Sequence, residues 1–283
     1  MRNEWWGFVP LFNFTQPHMP STSEYCLTSL TFSFGKWARF GSADWAPGKE
    51  TNLSGHTMKL VIFDLDQTLV DFISVHDDVT RELFKRFFGV DAKLTEMDFA
   101  GRSLTDNFVQ LAKLKNIPEG KAKENIQKLL ENYDKRFIES FPQNPSRHIL
   151  PGVEELLKQL SETEHLVVLY TGDSPNIADK VLTATALGKY FKFSVYGTEV
   201  KTRVDMVKLA IERAEKITGE KFKDKDIVII GDSLRDIDCG KQLNALTIAV
   251  ATGFHSAEEL SNSKPDYLFK NLKDYKKILK AIG

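Results

Sequence analysis

Met58 to Asp71 reads MKLVIFDLDQTLVD, and its reading decides the fold. Lys59 to Phe63 is a short apolar run rich in β-forming residues, the pattern of a strand buried on both faces. It runs directly into Asp64, Asp66 and Thr68, so two carboxylates and a hydroxyl crowd the place where the strand ends. In open α/β sheets ligands sit at the carboxyl ends of strands. The remainder of the chain is expected to bring partners to that edge.

From Ile149 onward strands and helices alternate, the pattern of a parallel sheet with crossover helices. Leu166 to Tyr170 is a buried strand ending in Thr171-Gly172-Asp173, and Phe193 to Tyr196 is a shorter one. Ile227 to Ile230 ends in Gly231-Asp232-Ser233-Leu234-Arg235-Asp236. Leu246 to Val250 and Tyr267 to Phe269 complete the strands, and Asp274 to Ile282 reads as a closing helix. Between the first strand and Ile149 the period is helical. Val75, Val79, Leu83 and Phe87 mark one helix ending near Gly89; Leu104, Phe108 and Leu111 mark a second. Ile126, Leu129, Tyr133 and Phe137 mark a third, with Pro118 placed to start it. Residues 72–148 therefore read as a helical insert, and 58–71 with 149–283 as the α/β core.

Residues 1–57 differ from the rest. They hold all four tryptophans but only 8 charged residues, against 69 in the remaining 226. No helical or strand period persists, and the apolar stretch Trp5 to Phe14 is broken by Gly7, Pro10 and Asn13. This segment reads as an irregular extension outside the fold. Over the whole chain 27% of residues are charged and the formal net charge is −1, which lacks the clustered basic excess of a nucleic-acid binder. No apolar run approaches the ~20 residues of a membrane span. Two cysteines, Cys26 and Cys239, make neither a disulfide framework nor a thiolate zinc site. A cytoplasmic setting is expected.

Parallel strands of one sheet end on the same side, so Asp64, Asp66, Thr68, Thr171, Asp232 and Asp236 are expected to converge. Carboxylates sharing one pocket repel and raise one another's pKa. Bound Mg²⁺ resolves that conflict, since it takes oxygen ligands and retains waters and substrate phosphate. Asp64 and Asp232 are the natural ligands, with Asp236 one helical turn beyond, binding the ion or orienting its shell.

From Met58 onward, about four-fifths of the chain, the sequence resembles the haloacid dehalogenase superfamily. The likeness is to its phosphoglycolate-phosphatase-like members, which carry a helical cap after the first motif. The family's Asp-x-Asp-x-Thr matches Asp64, Asp66 and Thr68; its strand-ending Thr matches Thr171; its Gly-Asp-x-x-x-Asp matches Gly231, Asp232 and Asp236. Gln67 stands where many members have Gly. The cation of the third motif matches Arg203 or, in another register, Lys201, and Arg203 is preferred.

The resemblance implies a Rossmann-like doubly wound parallel sheet with an inserted cap. It also implies a magnesium-dependent phosphatase acting on a small phosphorylated metabolite, such as phosphoglycolate or a sugar phosphate. Asp64 would be the nucleophile and Asp66 the acid and base, its backbone carbonyl also ligating Mg²⁺. Thr68, Thr171 and Gly172 would hold phosphoryl oxygens. A phosphomutase on the same fold, or a non-catalytic binding protein, are the alternatives.

Plainer readings apply to the other polar residues. Arg102, in the loop Phe99 to Ser103, can reach over the site and hold an anionic substrate, or it is a solvated loop cation. Asp173 reads as a helix cap or a solvated residue, Cys239 as a small packed residue. His76, His148, His165 and His255 show no metal-ligand spacing and read as structural or solvated.

Overall fold

The computed structural model describes residues 58–283; the expectations for 1–57 lie outside the described residues. Six parallel strands form one sheet: β1 (Leu60–Asp64), β2 (Leu166–Thr171), β3 (Ser194–Tyr196), β4 (Ile227–Gly231), β5 (Leu246–Val250) and β6 (Tyr267–Phe269). Their order is β3-β2-β1-β4-β5-β6. The strand that opens the fold thus lies inside the sheet, flanked by the two strands that carry the other polar ends. Register aligns those ends, with Asp64 opposite Tyr170 on β2 and Phe63 opposite Ile230 on β4.

β1, β4 and β5 are buried at every position, because helices cover both faces of the sheet. Of the two principal hydrophobic clusters, one gathers Leu60, Ile62, Val168 and Ile229 with Met206, Val207 and Ala210. Those last three lie on α6 (Arg203–Thr218). The other gathers Val61, Phe63, Leu169 and Ile230 and continues without a break into Phe84, Phe108, Tyr133 and Phe137. Alternate residues of β1 therefore feed opposite layers, as a pleated strand requires. Burying one large apolar side chain stabilises by about 1.5–3 kcal/mol, so each layer is held by several.

Between β1 and Ile149 lie three α-helices: α1 (Ile73–Phe88), α2 (Leu104–Leu114) and α3 (Glu119–Glu139). α1 ends at Gly89 in the left-handed conformation, its N–H bonded to the Lys85 carbonyl. α2 starts at Ser103, whose hydroxyl accepts from the Asp106 N–H, and Pro118 precedes α3. In the remainder of the chain follow α4 (Val153–Ser161), α5 (Pro175–Ala184), α7 (Leu234–Gln242), α8 (Ala257–Asn262) and α9 (Tyr275–Ile282). Among the described residues, no helix is long and apolar enough to cross a membrane.

The loop before α2 lies against the ends of β2 and β4. The Leu104 N–H donates to the Gly172 carbonyl at 3.2 Å. A Cβ at Gly172 would stand 2.0 Å from the Arg102 carbonyl oxygen, and one at Gly101 (φ +69°) 2.5 Å from Ser233 Oγ. Both approaches need glycine, one for space and the other for space and backbone conformation.

Candidate active site

The ends of β1, β2 and β4, with the helices that follow them, bring the expected acids together. Asp64, Asp232 and Asp236 offer carboxylate oxygens that all lie within 4.8 Å of one another, and all three residues are buried. Asp232 follows β4 directly. Asp236 sits in the first turn of α7, where Ser233 caps the helix and a reciprocal capping box forms. Asp236 Oδ2 accepts from the Ser233 N–H at 2.9 Å and from its hydroxyl at 2.6 Å. Its Oδ1 accepts from the Tyr170 hydroxyl at 2.6 Å.

Arg203 ties this cluster together. It begins α6, behind the cap Thr202, and its guanidinium lies 3.9 Å above the Tyr170 ring. Nη2 donates to Asp64 Oδ1 and to Asp236 Oδ1, each at 2.5 Å, and Nε donates to Asp236 Oδ1 at 2.9 Å. Its side chain is 7% exposed. Of the two sequence candidates for this cation, Arg203 lines the cavity, whereas Lys201 lies exposed in the preceding turn.

Thr68 sits among the acids. It is fully buried, and its hydroxyl donates to Asp232 Oδ1 at 2.9 Å and lies 3.4 Å from Asp64 Oδ2. The hydroxyl therefore aligns the two carboxylates and does not face the cavity. Thr171 and Gly172 do line it; the Thr171 hydroxyl accepts from the Asp173 N–H at 3.1 Å.

The side chain of Asp66 leaves the acid cluster and joins a second group, Asp66, His76 and Asp173. Sequence reasoning missed both partners. His76 lies on α1 and is 4% exposed, with Nδ1 3.0 Å from the Tyr133 hydroxyl and Nε2 3.6 Å from Asp66 Oδ1. Asp173 is 4% exposed and is neither solvated nor a cap; Ser174 caps α5 instead. An Asp two residues past a strand reads as turn chemistry, and no sequence signal shows that α1 and α3 close over it. His148 and His255 are structural. The first stacks on Phe72, and Nε2 of the second lies 3.4 Å from Asp98 Oδ1.

Burial and like charge set the protonation of these acids. Desolvation pushes Asp64 up to about 7 despite the opposing charge of Arg203. Asp232 is pushed well above the carboxylate range by burial and by Asp64 and Asp236. At Asp236 burial is outweighed by Arg203 and the Ser233 and Tyr170 hydrogen bonds, so it is held low. At Asp66 burial is outweighed by His76 and Arg203, again lowering it. Burial and the neighbouring Asp66 raise Asp173 strongly.

Asp64, Asp66, Arg203, Thr171 and Gly172 face one cavity of about 50 Å³. The roof comes from α1, α2 and the loop before α2, including Phe99, Arg102 and Asn107. Arg102 is half-buried and lines the cavity. Its Nε donates to the Asp98 carbonyl at 3.1 Å.

The haloacid dehalogenase-like hydrolase family model matches residues 61–250, from inside β1 to the end of β5. The chain belongs to this family. Among similar proteins, the phosphoglycolate phosphatase of Synechococcus elongatus is 23% identical over 227 residues, covering 80% of this chain and 97% of that one. A predicted phosphatase from Clostridium acetobutylicum superposes with a TM-score of 0.62 at 24% identity, over 79% of this chain and all of the other. A β-phosphoglucomutase from Clostridium difficile superposes with a TM-score of 0.66 at 17% identity, covering 80% and 97%. At these identities the superpositions establish a shared fold. For this haloacid dehalogenase-like hydrolase, the chemistry has to be argued from the site.

Proposed function

We propose that the protein is a magnesium-dependent phosphatase that hydrolyses a small phosphate monoester through an aspartyl-phosphate intermediate. The observation that carries this reading is the placement of Asp64. It stands at the end of an inner strand, bonded to a buried arginine and beside two further acids, and it lines a cavity. The donor set fits Mg²⁺: carboxylate oxygens only, with two of the three acids driven upward by burial and by their neighbours' negative charge, the second of which a cation would relieve. Asp64, Asp232, Asp236 and the backbone carbonyl of Asp66 would hold the ion. When bound, it would neutralise charge on the transferring phosphoryl group.

Asp64 would attack phosphorus and Asp66 would protonate the departing oxygen, then take a proton from the water that hydrolyses the acyl phosphate. Because His76 and Arg203 hold Asp66 low, the negative phosphoryl group beside it would have to raise its pKa for the first step. Arg203 would hold Asp64 in line and add positive charge at the reacting centre, where positioning and electrostatics supply most of the rate. The Thr171 hydroxyl, the Gly172 N–H and Arg102 would bind substrate oxygens. Residues 72–148 would act as the cap over a core of 58–71 and 149–283, excluding water during transfer. The chain's composition and its two cysteines accord with a cytoplasmic enzyme.

Phosphate release from a panel of small esters, with Mg²⁺ and with EDTA, tests the reading. Metal-dependent release from one or two of them is expected; folded protein that releases none, with or without metal, would overturn it.

A further inference from the structure

Two residues that line the cavity carry buried side-chain amide oxygens with no hydrogen bond. Asn107, on α2, is 4% exposed, and its Oδ1 is buried with no hydrogen bond. Gln67, in the turn after β1, has a buried Oε1 with no hydrogen bond. Both residues line the same cavity, one from the roof and one from the floor. A buried carbonyl oxygen without a donor is costly, and these two sit where whatever fills the cavity has to supply it.

Gln67 adds a second argument. Its φ is +60°, a left-handed conformation that suits glycine and is strained for a side chain. The backbone there is fully engaged: the Gln67 N–H donates to Val70 O at 2.6 Å, and its carbonyl accepts from the Thr252 hydroxyl at 2.5 Å. Glycine would satisfy both bonds with less strain, and an amide that bonds a ligand would offset that cost.

Resting on the phosphatase reading, we infer that Gln67 and Asn107 determine specificity by accepting hydrogen bonds from hydroxyl groups on the leaving group. The substrate class is then a short polyol phosphate monoester, in preference to a phosphorylated carboxylic acid such as phosphoglycolate. A hydroxyl donates and accepts, so it satisfies an amide from either end. A carboxylate only accepts. It would leave Oδ1 and Oε1 unpaired and add negative charge to a cavity already lined by Asp66 and Asp173. Arg102 would bond a carboxylate more strongly than a hydroxyl, which makes 2-phosphoglycolate the sharpest comparison for the amides' preference.

The test is hydrolysis of glycerol 3-phosphate, n-propyl phosphate and 2-phosphoglycolate under saturating Mg²⁺, with acetyl phosphate as a compact reference ester. For the wild-type chain, kcat/KM for glycerol 3-phosphate is expected to exceed that for n-propyl phosphate by about 100-fold or more, because a site built to bond a hydroxyl rejects the analogue lacking it. It is also expected to exceed that for 2-phosphoglycolate. Asn107→Leu and Gln67→Gly should each shrink the glycerol-to-propyl ratio about tenfold or more. Gln67→Gly relieves backbone strain, so it keeps the test available if the buried Leu disturbs folding. Acetyl phosphate turnover with a wild-type glycerol-to-propyl ratio near one, or with 2-phosphoglycolate preferred, would overturn the inference alone. A ratio that neither substitution moves would do the same. No release from any ester, acetyl phosphate included, would overturn the phosphatase reading and this inference with it.

Discussion

Arg203 bonds two acids of opposite tendency, Asp236 held low and Asp64 pushed up to about 7. Removing it leaves both carboxylates buried and uncompensated, a change that typically costs about 3–5 kcal/mol of stability. Arg203→Ala is therefore expected to lower the melting temperature and to reduce kcat by about 100-fold or more. Lys201→Ala is expected to stay within about 0.5 kcal/mol of wild type, as exposed substitutions do. Parallel thermal melts and kcat measurements decide which cation serves the site. Asp64 carries a pH signature as well. A carboxyl whose folded pKa lies above its unfolded value binds its proton more tightly when folded, so its contribution to stability falls as pH rises from about 4 to 7. Asp64→Asn removes that penalty. In metal-free protein, the melting temperature of Asp64→Asn relative to wild type should climb between pH 5 and pH 8; a constant or shrinking difference would contradict the assignment. His76 and Asp173 show what residue patterns alone do not carry. The acids at strand ends announce themselves by motif, whereas a lone His twelve residues after Asp64 acquires meaning only when α1 folds back over the site.

At the scale of elements, the loop before α2 is held to the core by Arg235, on α7. Its Nη1 and Nη2 donate to the two Asp98 carboxylate oxygens at 2.9 and 2.7 Å, and Nη1 donates to the Ala100 carbonyl at 2.6 Å. Phe99 packs edge-on against Phe254, with ring centroids 5.5 Å apart. Arg235 and Asp98 are partly exposed, so the pair contributes little to global stability, but it fixes the loop that carries Arg102. Arg235→Ala should leave the melting temperature within a few degrees of wild type while speeding amide hydrogen exchange across residues 99–103. Unchanged exchange there would show that the apolar contacts alone hold the loop. Most elements were legible because their periods are strong; the first helix and its Gly89 stop are an example. α8 was not, since six residues give too little periodicity and only Ser256 and Glu259, in their capping box, mark it. The Asp98–Arg235 pair was also illegible, because its partners are separated by 137 residues and each reads alone as a solvated charge.

For the whole molecule, the sheet order places β1 between the two strands whose ends complete the acid cluster, so fold and site were readable from the same three apolar runs. The shape of the cavity was not, since it depends on how the insert packs over the sheet through one continuous hydrophobic cluster. Repulsion among Asp64, Asp232 and Asp236 makes the metal-free protein less stable than it would be with a cation. Mg²⁺ at 100 times its dissociation constant should stabilise it by about 2.7 kcal/mol, seen as a rise in melting temperature that EDTA reverses. Asp232→Asn should abolish most of that rise. Covalent catalysis at Asp64 is the central claim, and the most direct measurement is borohydride trapping during turnover, followed by peptide mass spectrometry. Reduction of an aspartyl phosphate at position 64 to homoserine, dependent on substrate and Mg²⁺, is the result the account predicts. Sustained phosphate release with Asp64 unmodified, or with another carboxylate reduced in its place, would contradict it.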